Sequence, residues 1–238
     1  MTAKLRLFVV ALLALVVTSA CSGAQGANPL APSPIGAPQD AVASLDQPWS
    51  ALPPLSEEAK AYILEANVKA LVSTRGLVGV NRWDKFPINV YADAGVPREY
   101  VEDAFRLWQD ATGGKLSFQL VDVPPAEGIS ITTSWPPPTG GEYLATACGA
   151  AGVEGVRNLS YQKATIWLAR EAGPEGCNFG PYLKQVVAHE LGHALGLKEH
   201  RPRGEDVMSG PSAGYFISSV TREAVDWIYS VPVGTRPY

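Results

Sequence analysis

The sequence predicts an α+β domain of short strands and amphipathic helices, with two histidines on one of the helices. Apolar residues occupy every second position in four strand-like segments, 86–93, 116–120, 129–133 and 161–168. Apolar residues recur at helical spacing over 97–112 and again over 219–228. The third observation is that all three histidines of the chain fall within 189–200. Histidines that served only packing would be scattered, so this stretch is predicted to be a site.

The spacing of the histidines indicates their chemistry. His189 and His193 stand four residues apart, which places them one turn apart on the same face of a helix. Two imidazoles in this arrangement can hold a zinc ion. Glu190 projects from an adjacent part of the helix, so its carboxylate can reach a water activated by the metal without binding the metal. Gly196 is predicted to end the helix, because glycine accepts the left-handed conformation that turns the chain away.

These residues resemble the metzincin metalloproteases, and within them the matrixin-like branch. The metzincin pattern is H-E-x-x-H-x-x-G-x-x-H followed by a methionine turn. The chain matches it through Gly196, but Glu199 then stands where the pattern has histidine, and His200 follows one residue later. Met208, the only methionine after the initiator, lies eight residues beyond His200, as in matrixin-like sequences. One inserted residue between Gly196 and His200 explains both displacements.

The resemblance implies a zinc-dependent endopeptidase that acts on polypeptides, with Glu190 as the general base. Met208 is implied to support the site without binding the metal. The implied fold is zincin-like, with a twisted mixed sheet of about five strands, the histidine helix, the methionine turn and a C-terminal helix. The order of elements matches over about 86–231, and the specific motif over 189–208. One catalytic zinc ion would have three ligands, His189, His193 and His200.

Several alternatives stay open on the residues alone. Glu199 is the second candidate for the third ligand, since carboxylates also bind zinc. Glu223 on a downstream helix is another, although that choice leaves His200 and Met208 without a role. The chain could also be a catalytically inactive zinc-binding surface protein, in which Glu190 would have no purpose. A zinc amidase that acts on cell-wall peptides is the remaining alternative.

The amino terminus has the pattern of an export signal over 1–20. Lys4 and Arg6 precede an apolar core, Leu7–Val17, that is shorter than a membrane-spanning helix. Small residues before Cys21 resemble a bacterial lipobox, in which this cysteine becomes the lipidated first residue. We therefore expect an exported protein held at the cell envelope by its lipid alone. Plain cleavage and secretion is the alternative.

The rest of the chain divides into a tether and a domain. Residues 21–54 are rich in proline and alanine, which predicts an extended linker. The catalytic domain is then expected over 55–238, in which 55–80 is either part of the domain or a small pro-segment. The net charge of −4 and the lack of a basic cluster argue against a nucleic-acid partner. We expect a monomer, and the acidic residues form no loop motif that would support a calcium site.

Three further predictions concern the segments on either side of the histidine helix. Cys148 and Cys177 are expected to form a disulfide in an exported chain, with two buried free thiols as the alternative. Such a bridge would close a loop of about thirty residues and contribute about 3 kcal/mol. In metzincins an edge strand over the cleft pairs with the extended substrate, and Glu142–Cys148 is the candidate for that strand. Tyr215, beyond the methionine, is expected either to line the pocket wall or to cover the core.

Overall fold

A computed structural model describes the greater part of the chain. All of its described residues belong to one compact unit that spans Val42–Tyr238. The predicted export signal, Cys21, Cys177 and nearly all of the tether lie outside the described residues. Among the described residues, no helix is both long and apolar enough to cross a membrane. The described ranges are 46–48, 50, 52, 54–69, 79–135, 148–169, 180–201, 206–209 and 214–237.

The strands of the described residues form two sheets. They are β1 (Asp46–Gln47), β2 (Ile88–Ala92), β3 (Phe118–Leu120), β4 (Gly128–Thr132), β5 (Gly149–Arg157), β6 (Ser160–Leu168) and β7 (Arg236–Pro237). The larger sheet has the order β3-β2-β4-β6-β5, and β1 pairs with β7 by itself. Its strands run parallel except for β5, which is antiparallel to β6 at one edge. This mixed sheet of five strands confirms the predicted α+β class.

The described helices follow the predicted amphipathic segments. Ser56 caps α1 by accepting a hydrogen bond from the Ala59 amide, and Ser218 caps the last helix in the same way. The first helix begins at Glu57 and ends, through a π-helical turn, at Val68; residues 70–78 lie outside the described part. The helices are α1 (Glu57–Ile63), which continues as a π-helical turn (Leu64–Val68), α2 (Arg98–Ala111), α3 (Gly180–Ala194) and α4 (Ser219–Ile228).

One hydrophobic core joins the sheet to the helices. The predicted alternation is confirmed in β4 and β6, whose inward residues are fully buried, and the helical spacing is confirmed in α2. α3 packs against α2 and against β5 and β6, while α1 packs against α4. The helix with the histidines therefore packs against both the sheet and α2. Core residues from these elements include Ile129, Ile131, Ile166, Trp108, Leu191 and Trp227.

The edge of the sheet differs from its predicted position. The structure places the edge strand at β5, directly after Cys148, whereas Glu142–Cys148 was the candidate; residues 142–147 lie outside the described part. β5 contains three glycines and two alanines, and these small residues remove the alternation by which a strand is recognised. A tight turn at Asn158 and Leu159, both with positive φ, connects β5 to β6 as a hairpin.

Candidate metal centre

α3 presents the first two histidines as their spacing predicts. The ring centroids of His189 and His193 lie 4.6 Å apart, with the rings nearly perpendicular. Their Nε2 atoms are 3.1 Å apart. Because both side chains are fixed on one helix, this part of the centre is formed by local structure alone.

The chain turns sharply after α3 and brings the third histidine to the other two. Gly196 has a φ of +119°, and a Cβ at this position would lie 2.9 Å from the Asn67 amide nitrogen. Both the backbone conformation and the lack of space therefore require glycine here. After the turn, the Nε2 atom of His200 lies 3.0 Å from that of His189. His200, which lies one residue beyond the third histidine of the metzincin pattern, is thus close enough to the two helical histidines to share an ion with them.

Backbone carbonyls fix the tautomers of the two helical imidazoles. Nδ1 of His189 lies 2.6 Å from the Val207 carbonyl, and Nδ1 of His193 lies 2.5 Å from the Leu197 carbonyl. A carbonyl only accepts hydrogen bonds, so each Nδ1 carries the hydrogen and each Nε2 of the neutral ring keeps a lone pair. Two lone pairs that face each other at 3.1 Å repel unless a cation lies between them. This arrangement matches the carbonyl-oriented histidines of protein metal sites.

The spacing of the three nitrogens suits a zinc ion. Zinc binds imidazole nitrogen at about 2.0–2.1 Å, which puts the ligand atoms of a tetrahedral site about 3.3 Å apart. The two measured Nε2 separations, 3.0 and 3.1 Å, are close to that value. Burial lowers the pKa of His189 and lowers that of His193 much further. Both rings are therefore neutral near pH 7, which is the form that binds a metal.

The two carboxylates considered as third ligands lie elsewhere. Within the part of the chain that the structure describes, the cluster able to hold a metal consists of the three histidines. Glu199 is exposed, and its backbone carbonyl accepts a hydrogen bond from the Tyr62 hydroxyl. Glu223 lies on α4, where its carboxylate accepts a hydrogen bond of 2.9 Å from the Ser56 amide.

Glu190 lies beneath the edge strand. It is 5% exposed, and burial raises its pKa to about 8. A Cβ placed on Gly149 would lie 2.7 Å from the Oε1 atom of Glu190. The first residue of β5 therefore passes directly over this carboxylate, and only glycine leaves room for it.

Met208 is buried below the histidine helix. A methyl group at Gly192 would overlap both the sulfur of Met208 and the indole of Trp108. The glycine between Glu190 and His193 thus allows the methionine and the tryptophan to pack directly against the backbone of α3. The indole nitrogen of Trp108 also donates to the Ala188 carbonyl at 2.9 Å. An apolar support under the helix is what the sequence implied for Met208.

Asp206 is a site residue that the sequence analysis missed. Its carboxylate is fully buried and accepts hydrogen bonds from the methionine turn and from the first turn of α4. The signal in the sequence is the D-x-x-S spacing of Asp206 and Ser209, which is typical of a side chain that caps a turn. Burial acts to raise the pKa of Asp206, but these hydrogen bonds outweigh it and lower the pKa. The donors are Met208 N, Ser209 Oγ, Ser218 N, Ser218 Oγ and Thr221 Oγ1.

Tyr215 lies on the side of α3 that faces α2. The ammonium of Lys184 is 4.5 Å from the centre of its ring and also 2.5 Å from the Asp103 carboxylate. Burial raises the pKa of Tyr215 to about 12, and its hydroxyl has no hydrogen-bond partner among the described residues. The ring is half-buried at the end of the core, so both sequence interpretations of this residue stay open.

The pairing of Cys148 with Cys177 also stays a prediction, because Cys177 lies outside the described residues.

The fold and the histidine cluster define the class of the protein. A mixed sheet of five strands, a helix with H-E-x-x-H and a third imidazole after a glycine turn form a zincin-type domain, the class shared by zinc metalloproteases. A comparison with protein families matches the matrixin model over residues 89–215, which is just over half of the chain. The chain belongs to the matrixin family, and this confirms the resemblance seen in the sequence.

Comparison with solved structures finds a more distant similarity. The chain is 19% identical to high choriolytic enzyme 1, a hatching enzyme zinc-protease from Oryzias latipes (medaka fish), with a TM-score of 0.28. The similarity covers 56% of this chain and 50% of the fish protein, so the chain spans about half the length of that structure. A search of curated protein sequences finds no match.

Proposed function

We propose that this protein is a zinc-dependent endopeptidase that hydrolyses peptide bonds in polypeptide substrates. The observation that carries the proposal is the convergence of three imidazole nitrogens, two of which have their lone pairs fixed by backbone carbonyls. A cluster of this kind has no hydrogen-bonding purpose of its own, since two of the facing Nε2 atoms only accept. Membership of the matrixin family supports the same conclusion.

His189, His193 and His200 are the proposed ligands of one zinc ion. Three neutral imidazoles leave the fourth position of a tetrahedral ion open, which is the arrangement of catalytic rather than structural zinc. The distance of 3.0 Å between the Nε2 atoms of His200 and His189 favours His200 over Glu199 as the third ligand. When bound, the ion supplies a Lewis acid for the scissile carbonyl and lowers the pKa of the attacking water.

Glu190 is the proposed general base. Its burial raises the pKa to about 8, and a cation nearby would lower that value towards neutrality. A carboxylate whose pKa lies near the working pH can take a proton from water and later give it to the leaving amide nitrogen. The position under Gly149 holds the carboxylate beside the edge strand.

β5 is the proposed binding strand for the substrate. As an edge strand, β5 has one side that is not paired within the described sheet. An extended peptide that pairs with this side passes beside Glu190, because Gly149 covers the carboxylate. The proposed role of the edge strand is therefore to place the scissile bond at the metal centre.

Replacement of Glu190 by glutamine tests the mechanism. The variant should bind zinc like the wild type but lose activity by about 10²–10⁴-fold, because the amide cannot accept the water's proton. Cleavage of a casein-type substrate and of a broad peptide library, measured with zinc content, gives the result. Glu199→Gln is the matched control and should leave activity unchanged. Persistent cleavage by Glu190→Gln would contradict the mechanism. If the wild type cleaved peptidoglycan fragments but no protein or peptide substrate, the result would favour the amidase.

We also propose that the domain is held at the cell envelope by a lipid on Cys21, through the tether 22–54. The sequence supports this with the charged and apolar segments before the cysteine. Cys21→Ala should move the protein from the membrane fraction to the soluble fraction, as measured by fractionation and immunoblotting. Unchanged membrane association of the variant would overturn the proposed anchor.

A further inference from the structure

The segment that carries His200 is bonded along its length to the N-terminal helix. We call residues 196–201 the ligand loop. This loop contacts α1 and the π-helical turn that follows, through both side chains and backbone. The hydrogen bonds are Asn67 Nδ2 to Gly196 O at 3.0 Å, Lys198 N to Ala66 O at 2.7 Å, Tyr62 Oη to Glu199 O at 3.0 Å, and Arg201 Nη2 to Glu58 Oε1 at 2.6 Å.

The contacts come from one face of the helix. Glu58 and Tyr62 on α1 and Ala66 in the π-helical turn are spaced four residues apart, so they succeed one another along the helix. Successive turns of the helix therefore meet successive residues of the ligand loop, in the opposite chain direction. Tyr62 is 6% exposed and Ala66 is fully buried. The bonds that Tyr62 and Ala66 make are shielded from water in this way and are costly to break. The Glu58 carboxylate, in contrast, is exposed, and its ion pair with Arg201 contributes less.

A pair of buried asparagines connects the same contact to the segment that precedes β2. Asn67 and Asn81 are fully buried, and the Asn67 side chain bonds to the Asn81 backbone, with Nδ2 donating to Asn81 O at 2.7 Å and Oδ1 accepting from Asn81 N at 3.1 Å. The loss of the Asn67 side chain would remove the partner of the Asn81 backbone amide and carbonyl and of the Gly196 carbonyl, all of them buried. This network argues that residues 57–69 belong to the folded domain rather than to a removable pro-segment.

The ligand loop is longer than the matrixin pattern by one residue. Three residues separate Gly196 from His200, whereas the pattern has two. An additional residue adds backbone freedom that must be restricted before His200 can meet the helical pair. Two of the bonds from the helix fall on Lys198 and Glu199, within the lengthened part. The helix itself precedes the segment that matches the family, 89–215.

We propose that α1 is a positioning element of the metal centre, which holds the lengthened ligand loop so that His200 reaches His189 and His193. The proposal rests on the zinc site of the proposed function. Tyr62 and Glu58 are the positioning residues, because their side chains fix the loop on both sides of His200. A ligand that is held in place before the metal arrives binds it with a smaller loss of entropy.

The test uses the full chain with Tyr62→Phe, Glu58→Ala and both changes together. Zinc affinity is measured by competition with a chelator, and coordination by the visible absorption of the cobalt-substituted protein. Tyr62→Phe should weaken zinc binding by about fivefold to tenfold, as expected for one buried hydrogen bond. The double variant should bind more weakly still and show the altered cobalt spectrum of a site that has lost one nitrogen. Glu58→Gln keeps an acceptor for Arg201 and should restore the affinity.

Two control variants separate positioning from general stability. Thr235→Val removes a buried hydroxyl that donates to the Pro232 carbonyl at 2.8 Å, and Glu57→Ala removes an ion pair of 2.6 Å with Lys60 on the same helix. Both should keep zinc affinity within about twofold of the wild type, even where the melting temperature falls, because the ligand loop keeps its contacts.

The outcomes distinguish this proposal from the proposed function. Wild-type zinc affinity and an unchanged cobalt spectrum in the double variant would overturn the positioning role while leaving the zinc site intact. An equal loss of affinity in Tyr62→Phe and Thr235→Val would also overturn it, since both would then act through stability alone. Failure of the wild type to bind zinc would instead overturn the proposed function.

Discussion

His200 is the exposed member of the imidazole cluster, and its position decides the coordination of a bound ion. The two helical imidazoles are half-buried, and their Nδ1 atoms donate to backbone carbonyls. His200 instead depends on the path of the ligand loop, whose bend at Gly196 follows from a positive φ. One side chain thus determines whether the site has three protein ligands or two.

Substitution of the two candidate third ligands separates their roles. His200→Ala should weaken zinc binding by about 100-fold or more, since even partners outside the first coordination sphere cost 10–100-fold. Glu199→Ala should change the affinity little, because the residue contacts Tyr62 through its backbone oxygen. Zinc stoichiometry and chelator competition measure both. The reverse order of effects would assign the third ligand to Glu199.

At the scale of elements, aromatic side chains hold α3 in place. The indole of Trp83 donates to the Ala194 carbonyl at 2.9 Å, and the hydroxyl of Tyr229 donates to the Leu195 carbonyl at 2.8 Å. These donors satisfy carbonyls at the end of the helix that have no partner within it. Trp83 precedes β2 and Tyr229 follows α4, so distant parts of the chain fix the end of the helix from which the ligand loop departs.

The Asp206 carboxylate accepts hydrogen bonds from both the methionine turn and α4, and its ionised form joins the two elements. Its folded pKa lies below the unfolded value near 4. The stabilisation is therefore present at pH 7 and is lost as the pH falls through the folded pKa. Asp206→Asn should destabilise the domain by about 2–4 kcal/mol at pH 7, because a buried acceptor of several hydrogen bonds loses its charge. Denaturant unfolding measures the free energy of unfolding of the wild type and of Asp206→Asn. The difference between the two proteins should be smaller below pH 4 than at pH 7.

A surface carboxylate provides the control for Asp206. Asp226 on α4 forms an exposed ion pair with Lys115, and such pairs contribute less than about 1 kcal/mol. Asp226→Asn should therefore unfold like the wild type at both pH values. A difference between wild type and Asp206→Asn that stays constant from pH 7 to pH 3 would contradict the role of the ionised form.

At the scale of the whole molecule, the metal centre connects elements that are distant in sequence. The three imidazoles come from α3 and the ligand loop, while their supports come from α1, α2 and the methionine turn. An ion bound at this point stabilises the folded state alone, because the unfolded chain does not bring the ligands together. Metal binding and folding stability are therefore expected to be linked.

Removal of zinc should lower the melting temperature. A ligand at a thousand times its dissociation constant stabilises by about 4 kcal/mol, which corresponds to a shift of about 10 °C for a domain of this size. Differential scanning calorimetry with and without a chelator measures the shift. His193→Ala is the control, since a variant that cannot hold the ion should melt alike in both conditions. Identical melting of the wild type with and without chelator would count against a resident metal.

The sequence by itself determined the features that depend on local geometry. The period of an α-helix places His189 beside His193, and the conformational freedom of Gly196 allows the turn that follows. Alternation of apolar residues identified β4 and β6, because a strand with one buried face repeats every second residue. The spacing of Met208 indicated the methionine turn by resemblance to the family.

Only the tertiary structure decided which distant residues complete the centre. The bonds of Glu58 and Tyr62 to the ligand loop join residues more than 130 positions apart, and no local period relates them. The edge position of β5 depends on which neighbour the strand pairs with, and its glycines and alanines carry no alternation. Asp206 is buried because α4 closes over it, whereas an isolated aspartate would be expected at the surface. These features depend on packing between elements, which residue spacing within one segment does not encode.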